Sequence, residues 1–129
     1  MALKHVSFGD KLRSKARRGS QGFPLATIAY YGPDNLKATK VVVGVMAYEG
    51  AEPNPLERWI SASRDVRIDA EINKSIYYLL LGHTVKTVII ADRILGCPHE
   101  EGIDYPVGEP CPNCLYWANR DRFSGEVLQ

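Results

Sequence analysis

Cysteine and histidine are scarce in this 129-residue chain, with three of each. An odd cysteine count argues against a disulfide framework. Long apolar runs are missing as well: the longest, Ile76 to Leu81 and Val88 to Ala91, fall far short of the roughly 20 residues that cross a bilayer. Near the start stand Lys4, Asp10, Lys11 and Arg13, in place of the apolar core of a secretory leader. The expected setting is the cytoplasm, with no membrane partner and with thiols kept reduced and available as metal ligands.

Two further absences concern charge. Residues 1–22 hold six basic side chains (Lys4, Lys11, Arg13, Lys15, Arg17, Arg18) and Asp10 as their one acid, whereas residues 23–129 hold ten basic and fourteen acidic side chains. A mildly acidic body thus carries a basic N-terminal arm. Such an arm suits a phosphate backbone or an acidic partner surface, which makes Lys11, Arg13, Lys15, Arg17 and Arg18 candidate nucleic-acid-binding residues. Its ordinary alternative is a solubilising leader. The run Arg18-Gly-Ser-Gln-Gly22 and the want of an apolar period predict a flexible arm over 1–22. Conversely, the stretch from Cys97 to Cys114 contains Glu100, Glu101, Asp104 and Glu109 but no Lys or Arg. That stretch should repel phosphate, and could equally face a basic partner.

What is present is an ordinary globular composition, 45% hydrophobic and 24% charged, enough for one domain with a core of its own. Leu25–Tyr31 reads as a strand ended by the turn cluster Gly32-Pro-Asp-Asn35, and Thr39–Ala47 as its hairpin partner. After a connector with Pro53 and Pro55, Leu56–Ala62 reads as a third strand, with Leu56 and Trp59 as core contacts. Asp69 is placed to cap a helix in which Ile72, Ile76, Leu79 and Leu80 recur at helical spacing. Gly82 stands where a left-handed residue would end that helix, with His83 as a cation at its C-terminus. The unbroken apolar half of Val85–Ala91 predicts a strand buried on both faces. The expected fold class is therefore α+β: a three-stranded antiparallel meander, one helix, one further parallel strand, then a metal-braced C-terminal loop. The core should span 23–95, and the loop and tail 96–129.

That order of elements resembles the ribonuclease H-like fold over about residues 24–92. The nucleases of that family place a carboxylate on the first strand, and Leu25–Tyr31 has none. The resemblance therefore implies an architecture and not the chemistry.

All three cysteines fall within one short segment, as Cys97-Pro-His99 and, eleven residues on, Cys111-Pro-Asn-Cys114. Three sulfurs and an imidazole form the tetrahedral set that Zn²⁺ takes in structural sites, so Cys97, His99, Cys111 and Cys114 are the candidate zinc ligands. An iron–sulfur cluster would ordinarily want a fourth thiolate. His99-Glu100-Glu101 with Pro110-Cys111-Pro-Asn-Cys114 also resembles the two halves of the zinc deaminase signature, which would make Glu101 a proton shuttle. Too few residues separate those halves for the helix and strand of that fold, and Cys97 would fill the position a catalytic water needs. Asp65, Asp69, Glu71 and Asp92 form a second, acidic candidate set for Mg²⁺. The string from Cys97 to Pro106, closing with Cys111 to Trp117, is similar to the tail of an uncharacterised bacterial family, a resemblance that implies no particular activity. The expected function is a non-enzymatic zinc-binding adaptor module that meets nucleic acid through its basic arm. A metal-dependent hydrolase or deaminase-like enzyme using Glu101 or Asp92 is the alternative.

Overall fold

The computed structural model of the protein describes residues 7–109 and 111–118. Four strands, β1 (Leu25–Tyr31), β2 (Lys40–Met46), β3 (Leu56–Ile60) and β4 (Thr87–Ile94), form one sheet in the order β3-β2-β1-β4. The first three make an antiparallel meander, and β4 lies parallel to β1. Between β3 and β4 the chain forms helix α2 (Ala70–Gly82). The α+β class and its strand directions are those expected from the sequence.

Alternation along the strands divides the sheet into two unlike faces. Ala26, Ile28 and Tyr30 of β1 and Val41, Val43 and Val45 of β2 point to one side and are buried. Helix α2 covers that side through Ile76 and Leu80, both 1% exposed. The opposite side carries Tyr31, Lys40, Val42, Leu56 and Arg58, and here the cysteine-rich segment packs. Trp59 joins the helix-side core, whereas Leu56 is exposed on the other face. Of the two core contacts expected on β3, the structure supports Trp59 alone.

Three local expectations need correction. Residues 8–17, read as flexible, form helix α1 (Phe8–Arg17), capped by the Ser7 hydroxyl, which accepts from the Asp10 N–H at 3.1 Å. Leu12 is 1% exposed in the core, and Ala16 packs beside it. Phe8, Leu12 and Ala16 are four residues apart, a stripe narrow enough to be lost among charges yet sufficient to dock one face. Lys4 and the tail 119–129 lie outside the described residues. Second, α2 ends in a Schellman pattern in which Thr84, not Gly82, takes the left-handed conformation (φ 53°). The Val85 N–H donates to Leu80 O at 3.0 Å, and the Thr84 N–H to Leu81 O at 3.1 Å. Third, β4 is an edge strand, and Ile89 is 52% exposed. A continuous apolar run does not tell a flanked strand from an edge one.

Asp65 ties the turn before α2 to the sheet. Its carboxylate accepts from the Ala38 N–H at 3.0 Å, from the Arg67 N–H at 2.9 Å, and from the Arg67 guanidinium at 2.6 Å and 2.9 Å. Burial pushes its pKa up, but those hydrogen bonds outweigh it and hold the group down at about 2.

Candidate metal centre

The cysteine-rich segment starts where β4 ends. Leu95 donates from its N–H to Tyr30 O, and Gly32 donates to Gly96 O, each at 2.8 Å, so the chain leaves alongside the end of β1. Cys97 follows immediately. Between the two halves of the motif a tight turn folds the segment back: Gly102 N–H donates to Tyr105 O at 2.7 Å, and Asp104 N–H to Glu100 O at 2.7 Å. Tyr105, Cys111 and Cys114 form a small buried cluster of their own, with Cys97 and Trp117 against it.

The geometry of the four donors is specific. His99 Nδ1 lies 3.3 Å from Cys97 Sγ, 3.4 Å from Cys111 Sγ and 3.5 Å from Cys114 Sγ. A tetrahedron with metal–sulfur bonds of about 2.3 Å and metal–nitrogen bonds of about 2.05 Å has nitrogen–sulfur edges of about 3.6 Å. The imidazole thus stands almost equally far from all three sulfurs, at the spacing a tetrahedral ion requires, and it presents Nδ1. The four donor atoms all lie within 4.8 Å of one another, and among the described residues no other group of three or more His, Cys, Asp or Glu side chains comes together in this way. Each turn is built for sulfur. The His99 N–H donates to Cys97 Sγ at 3.2 Å, and backbone N–H groups of Asn113 and Cys114 point at Cys111.

Electrostatics also call for a cation. Burial pushes the Cys97 thiol up, and the neighbouring Cys114 sulfur adds to it. Burial likewise raises Cys114, with the charge of Cys111 against it. Burial opposes the Cys111 thiolate too, but hydrogen bonds from Asn113 and from the neighbouring thiols bring that group below its ordinary value. The protein alone therefore eases ionisation of Cys111 and opposes it at Cys97 and Cys114, and a divalent ion would stabilise all three thiolates at once.

Around the donors lies a set of anchors that the sequence did not reveal. Lys40, 5% exposed at the start of β2, donates from Nζ to Pro98 O at 2.9 Å and stands 3.6 Å from Glu100 Oε2. Arg58 of β3 donates to Glu100 Oε1 from Nε at 3.0 Å and from Nη2 at 2.7 Å. Arg58 beside it, with help from Lys40, holds the Glu100 carboxyl below its usual range. On the other flank Trp117, in a short helix α3 (Leu115–Ala118), donates from its indole to Gly32 O at 2.8 Å. Gly32 admits no side chain, because a Cβ there would meet Lys37 O at 2.0 Å. The loop and the sheet enclose a cavity of about 250 Å³ lined by Tyr31, Lys40, Val42, Arg58 and Gly96 to Glu101.

The remaining candidates do not assemble. Glu101 is exposed, and a closed four-donor set offers no position for a water it could activate. Pro110 of the deaminase-like half lies outside the described residues. Asp92 is exposed on β4. Asp65 is engaged by Arg67 and Ala38, while Asp69 caps α2 by accepting from the N–H groups of Glu71 and Ile72 at 3.0 and 3.1 Å. Of the basic candidates, Arg13 pairs with Asp10, and Lys11 Nζ sits over the rings of Phe8 and Tyr77, 4.7 and 5.4 Å from their centroids. Arg17 and Arg18 are exposed at the end of α1, and Lys15 is half-buried.

Among the described residues no helix is long and apolar enough to cross a membrane. Neither a family model, nor a curated protein, nor a solved structure matches this chain.

Proposed function

We propose that the protein is a zinc-braced binding module in which Cys97, His99, Cys111 and Cys114 hold a structural Zn²⁺ and the basic helix α1 meets nucleic acid. The near-equal spacing of His99 Nδ1 from three sulfurs carries the first half of this reading, because four protein donors close a tetrahedral shell. Bound zinc would supply charge compensation and a cross-link, with no open coordination position for substrate. Its cross-link joins the end of β4 to α3, and so holds residues 97–117 against the sheet.

The nucleic-acid half is supported by charge. Arg13, Arg17 and Arg18 are exposed on a helix docked on the side of the sheet remote from the acidic metal loop. Those two regions should therefore separate in experiment. Binding of a labelled oligonucleotide to the reduced, full chain is expected to fall steeply with salt. Arg17→Gln with Arg18→Gln should weaken it and flatten its salt dependence. Glu101→Gln should leave it unchanged. Hydrolysis or deamination lost on Glu101→Gln would instead establish the enzyme reading, and an affinity indifferent to salt would remove nucleic acid as the ligand of α1.

A further inference from the structure

Helix α1 does not dock on bare α2. Phe8 meets Tyr77 and Tyr78 with ring centroids 5.6 and 5.8 Å apart, and the two tyrosines meet edge to face at 5.9 Å. None of these pairs is stacked in parallel, with interplanar angles of 52°, 53° and 80°. Tyr78 is 55% exposed, so this ring contributes little to the core. Cations frame the cluster. Lys11 lies over Phe8 and Tyr77, Lys15 follows one turn later on α1, and exposed Lys74 precedes Tyr78 by one turn on α2. Glu71, a further turn back, is the acid on that same side of α2.

From this juxtaposition we infer that the α1–α2 face is a single-strand nucleic-acid platform, on which a base stacks against Tyr78 while phosphates lie along Lys11, Lys15 and Arg18, which share one face of α1. The inference rests on the nucleic-acid reading of α1 and adds to it the kind of strand recognised. Duplexes hide their base faces, whereas single strands offer them to an exposed aromatic ring beside a positive track. An exposed tyrosine with Lys74 one turn before it and Lys11 over the adjoining ring has little to gain from a duplex and much from an unpaired base. Stacking and charge should then be separable, because only the charge contacts release counterions.

The experiment is fluorescence anisotropy of the reduced, full chain with a thymidine strand of about 15 nucleotides, with the matching duplex, and with phosphatidylserine vesicles as a rival anion. The single strand is expected to bind at least tenfold more tightly than the duplex. Tyr78→Ala should weaken single-strand binding by about 5- to 30-fold without altering the salt slope, and Tyr78→Phe should restore it. Lys15→Gln with Arg18→Gln should lower the slope by about 1.4, the share of two phosphates on a single strand. Tyr78→Ala also removes the ring contacts with Phe8 and Tyr77, so a melting temperature lower by a few degrees is expected, and binding is compared well below that transition. Equal binding of strand and duplex, unmoved by Tyr78→Ala, would overturn the platform and leave the basic helix as a general phosphate contact. Binding to vesicles alone, or to no probe, would overturn both.

Discussion

The two faces of the sheet bind their covering elements by different means. On the helix side, Leu12, Ile28, Val41, Val43, Ile76 and Leu80 are each 1% exposed or less, and they join α1, α2, β1 and β2 into one apolar core. Burial of each such side chain contributes roughly 1.5–3 kcal/mol, so that region has a store of stability independent of any ion. On the other side, the described residues of 97–117 bury the small cluster of Tyr105, Cys111 and Cys114; Trp117 packs against both it and the main core and donates to Gly32 O, and the Lys40–Glu100–Arg58 group adds a polar anchor. A segment with so small a core of its own has much to gain from a cross-link, and the four converging donors supply the place for one. One sheet thus carries a core held by packing on one face and, on the other, an attachment built around four potential metal donors.

Metal removal should produce the largest effect and the most uneven one. With a strong chelator under reducing conditions, amide exchange over residues 97–117 is expected to lose protection, including the N–H groups of Gly102, Asp104 and Cys114. Amides of β1, β2 and α2 should keep theirs. Collapse of both regions together would break the comparison, because it would make the core depend on the ion. The converse disturbance is Leu80→Ala, expected to cost about 2–5 kcal/mol of global stability in a denaturant titration while leaving metal content intact.

A smaller effect belongs to Asp65, which joins the helix side to the β1–β2 connection. Its folded value of about 2 lies below that of a free carboxylate, so its contribution is present above pH 4 or so and is lost as pH falls through about 2. The size is about 2 kcal/mol, and it should appear as a steep acid limb in stability against pH. In Asp65→Asn that limb should flatten; an unchanged limb would show that the carboxylate is not what acid attacks there. The smallest change is a gain. Thr84→Gly relieves a β-branched residue of a left-handed conformation that costs roughly 1 kcal/mol or more. A melting temperature raised by a few degrees is expected, and a lowered one would show that the threonine side chain contributes more than its strain removes.

Much of this arrangement could be read along the chain, and the reasons the rest could not are local. Leu25–Tyr31 is bounded by a proline and a turn cluster, so its limits were plain, and Asp69 announced α2 because capping is a short-range signal. Helix α1 carried the same kind of signal in Ser7 and Asp10, but its apolar stripe is only Phe8, Leu12 and Ala16. In that helix tertiary docking, more than intrinsic preference, fixes the structure. The exposure of Ile89 depends on strand order, which a strand's own residues do not encode. At the candidate centre the cysteines and His99 were legible from spacing alone. Lys40 and Arg58 were not, because they reach Glu100 across the register of β2 and β3, 60 and 42 residues away in sequence. The choice of Nδ1 over Nε2 is likewise a matter of three-dimensional approach.

The claim on which the rest depends is that four protein donors close around one ion. Zinc content of the purified, reduced chain, measured beside Cys97→Ser and Cys111→Ser, tests it directly. One zinc per chain is expected in the parent and sharply weakened retention in both variants, most readily seen in competition with a chromogenic chelator. Absence of metal from the intact protein would contradict the site itself. Zinc held as tightly in Cys97→Ser as in the parent would contradict the closed shell, and would return His99, Cys111 and Cys114 to consideration as an open, reactive centre.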